Sequence, residues 1–467
     1  MRTVAIAVLA GASLLAGCNL APQHIRPEGV VPEAFPQGGV YPTLGASGPD
    51  FTAVAWRDFF TDDRLRTVIE TGLDGNRDLR VVSANVLAAR ARYGVQRADR
   101  LPSVGLTGSA TFTDNPSQTG AAGGGDAELY AADLGFSAFE LDFFGRVRNL
   151  NEAALQSYFA SEAAQRSVRI SLIAEIANAW LTLAADRDQL RLSREMMASF
   201  DETRRLTTER FRIGTTSDLE ARQADAQYQG ARADVAALEA QVARDRNALD
   251  LLVGAPVEDS LLPDGLADQG ATLSRLPSNV SSEVLLRRPD VLQAEHLLQA
   301  RSASIGAARA ALFPSISLTG AGQSLSTDLS DLFSDGSYFY SLTPSVSVPI
   351  FDSGRRRSNV QAAEADQQAA LATYEKAIQT AFREVADSLA VRGTIDEQVA
   401  GQTARAGSAA AAARMAEARY QAGVSSFLEA LDARRTDYAA QQQLVSARLG
   451  RERNLIEVYR SLGGGLQ

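Results

Sequence analysis

The chain has 467 residues, of which 45% are hydrophobic and 22% are charged, and its net charge is −10. The apolar share can build a packed core, which argues against a disordered chain, and the acidic balance argues against nucleic acid as a partner. Two histidines, His24 and His296, and one cysteine, Cys18, leave no material for a disulfide framework, a Cys/His zinc site or a Cys–His nucleophile pair.

Residues 1–17 form a predicted lipoprotein signal peptide. Their positive start precedes an apolar run too short to span a bilayer, which takes roughly 20 residues. The run ends in Leu-Ala-Gly-Cys, which resembles the bacterial lipobox, so we expect cleavage before Cys18 and acylation of that cysteine, as with palmitate. An ordinary secretion signal with an incidental cysteine is the alternative. Asn19, where lipoproteins retained at the inner membrane commonly carry Asp, favours the outer membrane, and the Pro-rich residues 18–50 indicate a lipid anchor followed by an extended tether.

The remaining chain is an internal duplication. The segment LPSVGLTG, which begins at Leu101, recurs as FPSISLTG at Phe313, 212 residues later. Three later glycines recur at an offset of 209 residues, namely Gly145 with Gly354, Gly214 with Gly423 and Gly254 with Gly463. We therefore expect a first repeat over residues 51–270 and a second over residues 271–467.

Each repeat is predicted to hold a helix before the proline, two strands after it and then long helices. The residues between Gly145 and Gly214 include neither glycine nor proline, and a helix of that length would run roughly 100 Å. Alanine tracts such as residues 409–413 would let neighbouring helices pack closely in a coiled-coil-like bundle. A coiled-coil structural protein is the alternative, against which the predicted strands count.

The predicted strands alternate between apolar and small polar residues. Val104, Leu106 and Phe112 share one face of the first strand, and Thr107 and Thr111 share the other. Strands of roughly ten residues with this alternation are typical of transmembrane β-barrels, although a soluble sandwich alternates in the same way. Four strands cannot enclose a pore, and open sheet edges are not tolerated in lipid. We therefore expect the chain to form one closed barrel together with copies of itself.

Four segments resemble the TolC/OprM family of outer-membrane efflux factors, in the lipoprotein branch often labelled NodT. They are WRDFF, LLRRPDVLQAEHLLQARSASIGAARAALFPSISLTG, VPIFDSGRRRSNV and RYQAGVSSFLEALDARRTDY, which together run from Trp56 towards Gly464. The resemblance implies a mainly α chain with membrane β-strands. It implies a homotrimer whose twelve-stranded barrel, four strands per chain, continues into a long α-helical periplasmic barrel with a mixed equatorial belt.

The resemblance also implies a function. The family forms the passive exit duct of a tripartite efflux system for small molecules such as drugs, without catalytic residues, metal or cofactor. Its partners would be outer-membrane lipid, a periplasmic adaptor protein and an inner-membrane transporter of the RND type. An outer-membrane enzyme is the remaining alternative, but it needs a clustered polar site that the sequence does not show.

By the same resemblance, the functional residues lie at the two turns that end the long helices, the periplasmic tips. The residues expected to dock the adaptor are Gly214, Thr215, Ser217, Gly423 and Ser425, and those expected to gate the aperture are Tyr420, Glu220, Glu429 and Asp432. Some family members carry an arginine latch at the position of Ser425, so this chain departs from them there. For Glu429 and Asp432 the alternative is an ordinary solvated helix face, and for Tyr420 it is plain packing.

Overall fold

The computed structural model describes residues 19–23, 25–42, 54–113, 127–266, 272 and 281–464. The predicted signal peptide, Cys18, His24 and residues 114–126, which follow the first strand, lie outside these residues. The described part of the chain is mainly helical and contains one four-stranded sheet.

The helices and strands follow the predicted order. The α-helices are α1 (Trp56–Phe59), α2 (Asp63–Gly75), α3 (Arg77–Ala98), α4 (Arg146–Arg212), α5 (Asp218–Val253), α6 (Pro289–Ala310), α7 (Arg355–Gln421) and α8 (Phe427–Ser461). The strands are β1 (Gly105–Thr113), β2 (Ala127–Glu140), β3 (Ser315–Ser326) and β4 (Tyr338–Ser347), and short 3-10 helices span Asp259–Leu261, Ser282–Arg287 and Leu329–Asp331.

The element lengths repeat as the sequence predicts. Helices α3 and α6 have 22 residues each, and α4 and α7 have 67 residues each. The glycine before each long helix has a positive φ, +80° at Gly145 and +87° at Gly354. Part of α4 is apolar enough to cross a membrane by length and composition alone, but most of that stretch is buried inside the chain, as in a core helix.

The sheet is antiparallel with strand order β1-β2-β3-β4, and its register places like residues side by side. One row across the four strands holds Leu106, Leu134, Gly322 and Tyr340, and the next row, on the other face, holds Thr107, Asp133, Gln323 and Phe339. Leu106 is 77% exposed and Tyr340 is 89% exposed, so nothing in the described chain covers the apolar face. This is the face that a lipid-exposed strand requires.

A β-bulge keeps the apolar face continuous towards the end of β2. Phe136 pairs with Gly320 and Phe139 pairs with Leu318, so two residues of β2 oppose one residue of β3. Ala138, within the bulge, has a φ of +52°, and its N–H donates to the Thr319 hydroxyl at 3.1 Å. The extra residue returns Phe139 to the side of Phe136 and Leu318.

The chain divides into two compact units, each built from both repeats. The first takes the described part of Met1–Pro27 with Ala84–Glu162 and Gln293–Glu375, and contains the sheet. The second takes Glu28–Ser83, Ala163–Leu292 and Lys376–Gln467, in their described parts, and contains most of the buried side chains.

The core of the second unit joins its short helices to the end of α8. Phe59 is fully buried and stacks on Tyr459 with 4.1 Å between ring centroids. Arg288 is also buried, and its guanidinium pairs with Asp290 and Glu384 at 2.8 Å each. Partnered burial of this kind is what makes an interior arginine tolerable.

The described part of the predicted tether, residues 19–23 and 25–42, is here called the strap. In the first unit, Arg26 donates two hydrogen bonds to the buried carboxylate of Glu295, at 2.7 and 3.1 Å. In the second unit, Phe35 is buried and stacks on Phe382 with 5.1 Å between ring centroids. The strap therefore differs from a free linker, because its charged and aromatic side chains find partners on the helices.

Candidate functional site: the helix tips

The two turns that end the long helices have the same backbone geometry. Gly214 has a φ of +77° and Gly423 a φ of +72°, values that glycine adopts without steric cost. The N–H of Thr215 donates to the carbonyl of Arg210 at 2.8 Å, and the N–H of Val424 donates to the carbonyl of Arg419 at 2.9 Å. Each long helix therefore ends in a Schellman-type turn that satisfies its last carbonyls.

The following helices are also started in the same way. Ser217 caps α5 by accepting the N–H of Glu220 at 3.3 Å, and Ser426 caps α8 by accepting the N–H of Glu429 at 3.2 Å. Both segments have the Ser-x-x-Glu pattern of a capping box. Ser425, which was expected to dock the adaptor, has a buried hydroxyl without a hydrogen-bond partner in the described chain.

Glu220 and Glu429 hold equivalent positions in the two repeats, 209 residues apart. The Glu220 carboxylate accepts a short hydrogen bond from the Thr216 hydroxyl. Glu429 and Asp432 are exposed, and neither carboxylate has an ion-pair partner among the described residues. Both are free to face a shared axis, although their role at an aperture stays a prediction.

Tyr420 lies where the two tips meet. Its hydroxyl accepts a hydrogen bond from the guanidinium of Arg210 at 3.2 Å, and that guanidinium lies 5.7 Å from the centre of the tyrosine ring. The ring also contacts Phe427, with 5.6 Å between centroids. Within one chain, then, Tyr420 joins α4 to α7 and α8, and its hydroxyl partner is Arg210 and not Glu220.

An ion pair and a hydrogen bond join three helices near Tyr420. Arg434 on α8 pairs with Glu417 on α7 at 2.7 Å and donates to the hydroxyl of Thr203 on α4 at 2.9 Å. Two residues before Thr203 on α4, hydrogen bonds from Arg204 and the charge of Arg205 hold the pKa of Asp201 below its ordinary value. Charged contacts therefore fix the helix pairs just above the tips.

An apolar cluster lies beside these polar contacts. Its buried members are Phe200, Ala224, Ala231, Phe427 and Leu431. Between them and Arg210, Glu417 and Tyr420 lies a cavity of about 50 Å³, room for little more than water.

The sequence reasoning missed Arg210, Arg434, Glu417 and Thr203. For Arg210 the internal repeat carried a signal. The segments RFRIG and RYQAG align, so Arg210 is equivalent to Arg419 and Phe211 is equivalent to Tyr420, which puts Arg210 at the matching tip. The other three are separated by long stretches of helix, so only the packed structure brings them together.

Comparison with known proteins identifies the family. A sequence model of the family described as Outer membrane efflux protein matches residues 68–255 and 280–464, so it falls into two segments that follow the two repeats. The antibiotic efflux pump outer membrane protein ArpC of Pseudomonas putida is 42% identical over 459 residues, covering 97% of this chain and 94% of that protein. The cation efflux system protein CusC of Escherichia coli O157:H7 is 37% identical over 460 residues, covering 97% of each.

A solved structure extends the agreement to the fold. The open-state MtrE outer membrane channel of Neisseria gonorrhoeae superposes with a TM-score of 0.87 at 35% identity, covering 96% of this chain and 99% of that one. The predicted fold class, that of the trimeric outer-membrane channels with four strands per chain, is thereby confirmed. The chain belongs to the outer membrane efflux protein family and is an outer-membrane efflux channel.

Proposed function

We propose that the chain is the passive exit duct of a tripartite pump and acts as a homotrimer. The observation that carries this proposal is the sheet, whose apolar face is uncovered and whose edge strands, β1 and β4, have no further partner strand in the described chain. A sheet with open edges is not stable in lipid. Two copies would form an eight-stranded barrel, whose interior is filled by side chains. Three copies would form a twelve-stranded barrel, which leaves a lumen.

The helices support a duct that leaves the membrane. Helices α4 and α7 follow the sheet strands β2 and β4 and continue for 67 residues each before the tips. The tips are where a periplasmic adaptor would dock, through the exposed Gly214, Thr215, Ser217 and Gly423. The adaptor would in turn join the duct to an energised inner-membrane transporter, of the RND type.

The cargo would be small organic compounds such as drugs. ArpC is named for antibiotic efflux, whereas CusC, at lower identity, is named for cation efflux. The described residues hold no group of three or more His, Cys, Asp or Glu side chains suited to a metal ion. A duct of this kind performs no chemistry, and the transporter selects the substrate.

The anchor at Cys18 is part of the same proposal. Mass spectrometry of the mature N-terminus should show a lipid-modified Cys18, and cleavage elsewhere or an unmodified cysteine would contradict it. Cys18→Ser should remove the lipid, yet the sheet carries its own apolar face and should still insert.

Two measurements test the duct itself. Mass determination in detergent should give three chains, and the same particles should conduct ions in planar bilayers. A monomeric particle that conducts would contradict the strand count, and a trimer that never conducts would point to a coiled-coil structural lipoprotein. Deletion of the gene should raise sensitivity to antibiotics more than sensitivity to copper or silver, and the reverse would assign the cation cargo.

A further inference from the structure

A cleft lies where β2 ends and α4 begins. It has a volume of about 370 Å³, and its walls include Phe139, Phe143, Arg100 and Arg148. All four belong to the unit that contains the sheet. The cleft therefore combines two aromatic rings with two cationic side chains at one end of the membrane strands.

The aromatic wall of the cleft lies on the apolar face of the sheet. Phe139 lies opposite Leu318 on the apolar face, beyond the bulge that restores its direction. Phe143 follows three residues after the end of β2 and is 37% exposed. The aromatic wall thus continues the apolar face, which must lie in hydrocarbon, down to the first turn of α4.

The charges in the cleft leave two arginines unsatisfied. Glu140 is paired with Arg146, and the Asp142 carboxylate accepts the backbone N–H of Arg148 at 2.7 Å. The side chains of Arg100 and Arg148 are exposed, and neither has an ion-pair partner in the described part of the chain. Glu140 and Asp142 also line the cleft: Arg146 balances Glu140, whereas Asp142 offsets one of the two free guanidinium charges, so the cleft keeps a small net positive charge in a chain of net charge −10.

We propose that this cleft binds the headgroup of an anionic phospholipid from the leaflet that faces the helices. The guanidinium groups of Arg100 and Arg148 hold the phosphate, a geometry for which arginine is well suited. Phe139 and Phe143 contact the first carbon atoms of the acyl chains, which run on along the apolar face of the sheet. An acidic protein segment would satisfy the charges but not the aromatic wall, so the lipid fits both parts of the cleft.

The test is a lipid titration of the purified full-length protein in detergent, read by native mass spectrometry. Phosphatidylglycerol should bind at least about tenfold more tightly than zwitterionic phosphatidylcholine, a difference of about 1.4 kcal/mol. The double variant Arg100→Gln/Arg148→Gln should lose that preference, and Arg100→Lys/Arg148→Lys should keep most of it. Arg232→Gln is the matched control, since Arg232 is an exposed arginine on α5 without an ion pair among the described residues, and it should leave binding unchanged.

Three results would overturn the inference. They are phosphatidylglycerol binding that survives the double Gln variant, equal binding of both lipids by the unmodified protein, and displacement of the lipid by excess inorganic phosphate alone. The inference rests on the outer-membrane placement of the sheet. Bilayer conductance of the double variant tests the proposed duct separately from the lipid site. If the variant conducts but lacks the lipid preference, the proposed duct is retained. Should that variant fail to assemble, the single variants Arg100→Gln and Arg148→Gln carry the same test.

Discussion

At the scale of single residues, the carboxyl groups of Asp186 on α4 and Asp245 on α5 are neighbours at half-buried positions, where a protonated carboxyl of one can donate to the other. Burial, then the hydrogen bond and the charge of Asp245, raise the pKa of Asp186 from 3.8 to about 6. Gln241 donates to the Asp245 carboxylate at 2.8 Å, and Gln241 and Arg453 offset part of the rise in the pKa of Asp186. At a pH between these two pKa values, the folded pair therefore binds a proton that the unfolded chain would release.

The sign of the resulting pH dependence follows from the raised pKa. The contribution of Asp186 to stability is complete below about pH 4 and is lost as the pH rises through about 6. We expect this group to lower the free energy of unfolding by about 1–2 kcal/mol between those limits, after allowance for solvent screening. Asp245→Asn should flatten the dependence, because an amide can donate to the ionised Asp186. Thermal unfolding followed by circular dichroism at several pH values measures it. Asp234→Asn, an exposed acid on the same helix, should keep the normal slope.

Tyr420→Phe isolates one hydroxyl at the tips. The change removes the hydrogen bond from Arg210 and keeps the ring contact with Phe427. If this contact helps to hold the tips together, single-channel conductance should rise, since a hydrogen bond to a charged group is worth about 1.5–3 kcal/mol. Tyr228→Phe is the control, because the ring of Tyr228 keeps its contact with Arg204 without its hydroxyl. Unchanged conductance in Tyr420→Phe would assign Tyr420 to packing.

At the scale of elements, the strap depends on a glycine in the middle of a helix. A Cβ at Gly393 of α7 would overlap the backbone carbonyl of Val40, so the strap crosses the helix where no side chain stands. Gly393→Ala should therefore displace residues around Val40 and cost about 1–3 kcal/mol, the usual range for overpacking. Limited proteolysis should then cleave the strap faster.

Gly401 offers a matched control on the same helix. A Cβ there would meet nothing within 4 Å, so Gly401→Ala should be neutral or stabilise α7 by up to about 1 kcal/mol. If Gly393→Ala destabilises the protein and Gly401→Ala, eight residues away, does not, then contact with the strap and not helix propensity determines the change in stability. Equal protection of the strap in both variants would mean that it is held elsewhere, as by Arg26 and Glu295.

Elements set by local pattern were predictable from the sequence, and contacts between distant segments were not. The glycines at 145, 214, 354 and 423 bound the long helices because each adopts a positive φ that ends or begins a helix. The faces of β1 followed from alternation, and the register confirms them by placing Leu106 beside Leu134 and Thr107 beside Asp133. The sequence did not predict the bulge at Ala138 or the position of the strap on α7, since each depends on the backbone of a partner remote in sequence.

At the scale of the whole molecule, the two tips of one chain are alike in backbone but not in charge. Glu220 and Glu429 are equivalent, yet the residue equivalent to Asp432 is the neutral Gln223. The first tip has Asp218 where the second has Phe427, but Asp218 pairs with Arg222 at 3.3 Å, so a trimer would carry one carboxylate without an ion pair at each first tip, Glu220, and two at each second tip. An aperture lined by the second tips would collect cations from the periplasm.

The acidic residues of the second tips should bind cations in such an aperture. Three copies each of Glu429 and Asp432 around one axis repel one another, and the described chain supplies no ion pair to either, so multivalent cations should bind there and block conduction. Replacing both residues by Ala should weaken block by trivalent cations added to the periplasmic side by at least about tenfold, a loss of about 1.4 kcal/mol in binding. Glu220→Ala changes one equivalent carboxylate at the first tip and should leave most of the block in place. Block that survives the double variant but disappears with Glu220→Ala would put the first tips, and not the second, at the narrowest point of the duct.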